Sequence, residues 1–181
     1  MVRRHIRSYL GILIIVAVFA GTLFVYADSN DEYYENGRSL GYLRLPAFSV
    51  DLGPLRTDPT DPRGRRCFFE AIDVMPVTYK CDKVKHGADR PKDWEVRISG
   101  DDFRNGSEVI PISQLRWRVT GGSYRNMPSQ GSWDIIDDAT NYTGKERYAE
   151  HTKPLSLFLS LTNDEYAGTY QGTFYATLIF F

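Results

Sequence analysis

The sequence predicts an all-β protein: an antiparallel β-sandwich of immunoglobulin-like Greek-key or jelly-roll-like type, preceded by one N-terminal hydrophobic helix. Three observations carry this. Segment after segment alternates apolar and polar residues with period two, the mark of strands with one buried face. Turn dipeptides such as Asp58-Pro59, Asn105-Gly106, Gly121-Gly122 and Thr143-Gly144 separate those segments, and no helical stripe follows residue 30. The chain has 12 Tyr and 10 Phe, with many Thr, Val and Ile, residues that suit half-buried pleated surfaces.

The N-terminus gives the helix. Arg3, Arg4 and Arg7 precede an uncharged run from Tyr9 to Tyr26, and Val25 and Ala27 stand at the −3 and −1 positions of a cleavage site. Basic end, apolar run and small residues follow the order of a secretory signal. The run is long for a signal core and just long enough to span hydrocarbon. Residues 1–27 therefore read as a cleaved signal peptide or as an N-terminal membrane anchor, and either way the remainder is exported. Residues 28–39, "DSNDEYYENGRS", are polar and turn-rich, a spacer. The sandwich domain is expected over residues 40–181. Deleting residues 1–27 removes three of the 22 basic residues and none of the 23 acidic ones, which leaves a net charge of −4. Such a balance speaks against a dedicated nucleic-acid binder, which needs a concentrated basic face. The membrane is expected to be met only through residues 9–26.

Each strand follows from its alternation. Trp94, Val96 and Ile98 share one face, with Glu95, Arg97 and Ser99 on the other. Leu115, Trp117 and Val119 repeat the pattern against Arg116 and Arg118, and Leu155, Leu157, Leu159 and Leu161 against Ser156, Ser160 and Thr162. Trp133-Asp-Ile135 is a shorter candidate. The stretch from Tyr42 to Leu52 changes phase at Pro46, where a bulge or edge can re-aim a strand. Phe68 to Lys80 reads as a strand pair, or a strand and turn, broken by Pro76. In residues 170–181 the even positions, Phe174 among them, are wholly apolar, and the odd positions turn apolar at the end. This last strand is expected inside the sheet. Parity makes Trp94, Trp117, Trp133 and Phe174 the expected core aromatics. Exposed tryptophans stacking on sugar rings are the alternative.

The chemistry is sparse. Cys67 and Cys81 are the only cysteines, and an exported pair predicts a disulfide, with two buried free thiols as the alternative. Closing a loop of about 15 residues would contribute roughly 3 kcal/mol. Three scattered His give no metal-ligand spacing, so neither metal nor cofactor is expected. No nucleophile elbow, zinc-protease helix, phosphate loop or dinucleotide fingerprint occurs, and no catalytic residue is assigned. Asp-rich stretches such as Asp101-Asp102 and Asp137-Asp138 read as solvated turn acids. Arg63, Arg65 and Arg66 form a basic cluster in an acidic protein, a candidate contact for a polyanion or a solvated loop. Asn105-Gly-Ser107 and Asn141-Tyr-Thr143 fit the N-glycosylation pattern.

Three stretches carry a resemblance: "GYLRLPAFSVDLGPL" near the start, "WEVRISGDDFRNG" in the middle and "AGTYQGTFYATLIFF" at the end. Together they resemble bacterial cell-surface domains of the WxL type, with Trp94-Glu-Val96 at the Trp-x-Leu position and Leu178-Ile-Phe180 at the close. The resemblance implies an exported sandwich-like module that associates non-covalently with the cell wall. The closing strand is also similar to those of fimbrial and spore-coat subunits, which exchange strands between protomers. The expected function is therefore structural or adhesive work at the cell surface, with no enzymatic activity. Cell-wall polymer or other surface proteins are the expected partners. A filament subunit assembled by strand addition, or a carbohydrate-binding module, is the alternative.

Overall fold

Period-two alternation becomes two antiparallel sheets. The computed structural model describes residues 10–18, 22–35, 38–61, 63, 66–82, 93–162, 165 and 168–181. In chain order the strands are β1 (Leu10–Val18), β2 (Thr22–Glu35), β3 (Arg38–Pro54), β4 (Arg56–Thr57), β5 (Cys67–Cys81), β6 (Trp94–Gly100) and β7 (Phe103–Asn105). They continue as β8 (Glu108–Ile110), β9 (Leu115–Val119), β10 (Arg125–Asn126), β11 (Asp134–Asp138), β12 (Glu150–Leu161) and β13 (Gly168–Phe180). One sheet runs β11-β6-β13-β7-β8, with β1 beside β13, and the other runs β10-β9-β12-β5-β3-β2, with β4 beside β5. Short 3-10 turns at Ile112–Gln114, Ala139–Asn141 and Glu146–Tyr148 are the only helical elements among the described residues.

The inward faces of both sheets meet in one apolar cluster. Val96 and Ile98 of β6 and Phe174 and Leu178 of β13 come from one side. Phe69 and Val77 of β5, Trp117 of β9 and Leu157 of β12 come from the other. Tyr79 and Trp94 touch between the sheets, ring centroids 5.3 Å apart. The result is a sandwich-like all-β fold, as the alternation predicts. Each large apolar side chain buried this way contributes about 1.5–3 kcal/mol.

Two features of β5 depart from expectation. Pro76 does not break the strand; it lies opposite Pro154 within a continuous β5–β12 ladder. The interruption comes earlier, where Met75 pairs with Leu155 but Ala71 with Leu157, so three residues of β5 face Ser156 alone. Asp73 there adopts φ 55°. Its N–H donates to Ser156 Oγ at 3.0 Å, and its carboxylate accepts from Ser156 and, at 2.7 Å, from Thr120. These bonds satisfy a fully buried serine and hold the left-handed backbone.

The second departure is the disulfide. Cys67 and Cys81 are the first and last residues of β5, both buried and both free. At about 3.3 Å per residue the strand holds them roughly 40 Å apart, and a disulfide needs Cα atoms within about 7 Å. Extended structure between the two cysteines rules out the bond. Burial, then the charge of Asp82, pushes the Cys81 thiol up, which makes it inert.

The register of β3 against β2 shifts between Leu45 and Phe48, at Pro46, where the sequence changes phase. At the N-terminus Leu10–Val18 is extended here and pairs with Gly168–Ala176 of β13. The hydrophobic helix expected at the N-terminus falls partly on residues 1–9 and 19–21, which lie outside the described residues.

The last strand is seated by two glycines. Phe103 and Phe174 pack edge to face, centroids 6.0 Å apart at 81°. A Cβ at Gly172 would lie 2.7 Å from the Phe103 ring, and one at Gly100 2.7 Å from the Phe174 ring. Each glycine leaves room for the other strand's ring. Gly172→Ala should therefore lower stability by about 1–3 kcal/mol through overpacking, read as a lower urea midpoint with unchanged slope.

Candidate functional site

Two places gather side chains beyond the core. The first lies where the chain crosses from β11 in one sheet to β12 in the other. Asp137 is 3 % exposed, although the sequence suggests a solvated turn acid. A register shift between Ile135 and Asp137 turns it inward. Its carboxylate accepts from Tyr142 Oη at 2.6 Å, Asn141 Nδ2 at 2.6 Å and the Asp138 N–H at 3.0 Å, and from Tyr79 Oη. Lys153 Nζ of β12 lies 3.2 Å away. Burial alone would raise the Asp137 carboxyl, but the tyrosine and asparagine donors and Lys153 outweigh it and hold it below the usual carboxylate range. Burial, followed by the bond to Asp137, pushes the Tyr79 phenol far up.

Aromatic rings enclose this carboxylate. Tyr142 stacks on His151 at 4.0 Å, and Trp94 lies 5.8 Å from Tyr142. The crossing loop is tied down by Trp94 Nε1 on Arg147 O at 3.3 Å, Arg147 Nε on Ala139 O at 3.0 Å and the Arg147–Asp93 ion pair at 3.1 Å. Both carboxylate oxygens of Asp137 are taken by the protein's own donors, so the cluster acts as a clasp between the sheets. Its members are scattered in sequence from Tyr79 to Lys153, and only the paired acids after Ile135-Ile136 hint at it.

The second place is a cleft of about 400 Å³ on the outer face of β6 and β13, beside the turn that precedes β11. Trp133 stands there 53 % exposed, which corrects its expected place in the core; Trp94, Trp117 and Phe174 are buried. Period two tells which residues share a face and not which face is covered. Trp133 and Ile135 share the outer one. Arg97 stacks over Trp133 at 4.4 Å and lies 5.8 Å from the ring of the half-exposed Phe181. Arg97 is in turn paired with Glu95 at 2.6 Å, which neutralises its charge. Gln130 Nε2 donates to Tyr175 Oη at 3.4 Å, and Tyr175 donates to Asp101 at 2.7 Å. The Ser129–Ser132 turn is closed by Ser132 N–H on Ser129 O at 3.0 Å, which fixes the base of Trp133. A second cleft of about 360 Å³, lined by Asp101, Asp102, Gln171 and Thr173, shares Gln130 with the first.

Elsewhere, Arg63 and Arg66 are exposed in a loop wrapped around Asp61, whose carboxylate accepts the Arg63 N–H at 3.0 Å and the Arg66 N–H at 2.8 Å. Arg65 lies outside the described residues. Among the described residues no three His, Cys, Asp or Glu side chains converge as metal ligands. No family model, curated protein or solved structure matches this chain.

Replacing the clasp's carboxylate tests its role. Because the folded state depresses Asp137, its contribution is present above about pH 4 and fades as pH falls through the lower native value. Asp137→Asn should cost about 2–4 kcal/mol at pH 7 by leaving Lys153 and the donors mismatched. The gap to the parent should narrow as pH falls from about 4 through the lower native value, as checked by urea denaturation at about pH 7 and through the acid range.

Proposed function

We propose that this chain is an exported cell-surface protein with structural or adhesive work. Residues 1–27 act as a cleaved signal or as a helical membrane anchor, residues 28–39 as a spacer, and residues 40–181 as an immunoglobulin-like or jelly-roll-like sandwich. The WxL-type resemblance supports non-covalent association with cell-wall polymer or with other surface proteins. The observation that carries the reading is a half-exposed tryptophan, held by Arg97 and a closed turn, on the outer face of a sandwich clasped between its sheets. The ring is not isolated: it lines a cleft and shares Arg97 with the half-exposed Phe181, and an apolar patch beside a cleft marks a binding face. The proposed role is binding rather than catalysis: the one carboxylate buried among the described residues serves the clasp, and Arg63, Arg65 and Arg66 offer a separate contact for anionic polymer.

One observation favours a filament subunit as a second reading. β6 and β7 follow one another along one edge of β13, through Gly100 opposite Phe174 and Arg104 opposite Gln171. The other edge is met, among the described residues, only by Leu10–Val18, the segment assigned to the membrane. From Gly168 to Phe181 the chain carries no charge and no proline, the residues that usually guard an edge.

Fractionation and co-sedimentation test both readings. The protein is expected in the envelope fraction and to pellet with purified envelopes as a monomer, with Trp133→Ala lowering the bound amount at least about five-fold. Concentration-dependent, heat-resistant multimers would favour the filament, and a cytoplasmic protein that ignores envelopes would refute both.

A further inference from the structure

The adhesive face has a shape and a charge that narrow its ligand. Its two clefts lie end to end along β13 and share Gln130. From Gln171 to Ile179 the strand spans about 26 Å, more than one small ring fills. At one end Trp133 offers a broad apolar ring, with the side chains of Ser132, Thr177 and Tyr175 beside it. At the other end Gln171 and Thr173 line the floor next to Asp101 and Asp102.

Charge disfavours a polyanion here. Arg97, the one cation among the described residues of the first cleft, is held by Glu95 through Nε at 2.7 Å and Nη2 at 2.6 Å, and its guanidinium carbon lies 4.4 Å over the Trp133 ring. In the second cleft Arg104 meets Asp102 at 3.8 Å, which leaves Asp101 as the excess charge. Among the described residues here, Arg97 and Arg104 are outnumbered by Glu95, Asp101 and Asp102, so an anionic chain would meet a net negative charge. An apolar peptide would leave the amide and hydroxyl groups unpaired. A chain of neutral sugars fits both demands. Its hydroxyls exchange hydrogen bonds with Gln130, Ser132, Thr173 and Gln171, and the C–H face of a pyranose meets the negative face of the indole.

We propose that this groove binds a linear, neutral oligosaccharide lying along β13, with one sugar ring stacked on Trp133. This rests on the outer face of β6 and β13 being the adhesive one. Gln130 sits at the junction of the two clefts and contacts the sugars on both sides.

The test uses the purified full-length protein, titrated by calorimetry and tryptophan fluorescence with cellohexaose, xylohexaose, mannohexaose and chitohexaose. At least one should bind saturably below about 1 mM, and its disaccharide at least about ten-fold more weakly. Trp133→Ala should remove binding without moving the melting temperature, because the ring is largely outside the core, and Trp133→Tyr should restore most of it. Polygalacturonate should not compete. If none of the four hexaoses saturates by about 10 mM, or if Trp133→Ala binds like the parent, the proposal is wrong. Equal affinity for the disaccharide would overturn the extended groove. Envelope binding that depends on Trp133 but is not displaced by any hexaose would refute the sugar ligand and leave the surface role standing. Hexaose binding by a protein that ignores envelopes would do the reverse.

Discussion

A single ionised carboxylate holds the two layers in place where the chain passes between them. Asp137 belongs to one sheet; Tyr79 and Lys153 belong to the other; Asn141 and Tyr142 belong to the loop that joins them. An unpaired charge so deeply buried would be strongly unfavourable, and the donors gathered around it reverse the sign. The arrangement demands one relative position of the sheets, because the donors come from β5, from β12 and from the loop that joins the layers. Apolar packing brings the faces together, but it is non-directional. The hydrogen bonds set the alignment.

The outer face is held just as firmly. The turn before β11 and the ion pair of Arg125 with Asp134 at 2.8 Å fix the strand at whose start Trp133 stands. Arg97 then covers part of the indole while Glu95 holds the guanidinium. An exposed tryptophan kept in one orientation loses little conformational freedom on meeting a ligand, which is how a shallow site gains affinity. The other edge of β13 is met by Leu10–Val18 along Gly168–Ala176, so in this arrangement its backbone hydrogen bonds are taken within the chain.

The free cysteines show how secondary structure overrides a compositional rule. Two cysteines in an exported chain suggest a bridge, and a spacing of 14 residues suits a hairpin. A continuous strand turns the same spacing into maximal separation. The clasp at Asp73, with Ser156 and Thr120, lets β5 stay continuous across its bulge, and it supplies locally the restraint that a disulfide was expected to give.

The sequence by itself determined the strand faces of β6, β9, β12 and β13, the phase change at Pro46 and the all-β class. Alternation is a local property, fixed by the two-residue pleat and readable without any partner. What only tertiary structure decided is which shared face is covered and which distant groups meet. Trp133 and Ile135 share a face that no second layer covers. Asp137 is turned inward by a bulge that leaves no mark in residue type. Tyr79, Tyr142 and Lys153 converge on it from positions far apart in sequence. Those outcomes depend on how sheets stack and where a register slips, and both follow from the sum of many weak contacts across the molecule rather than from any short stretch of chain.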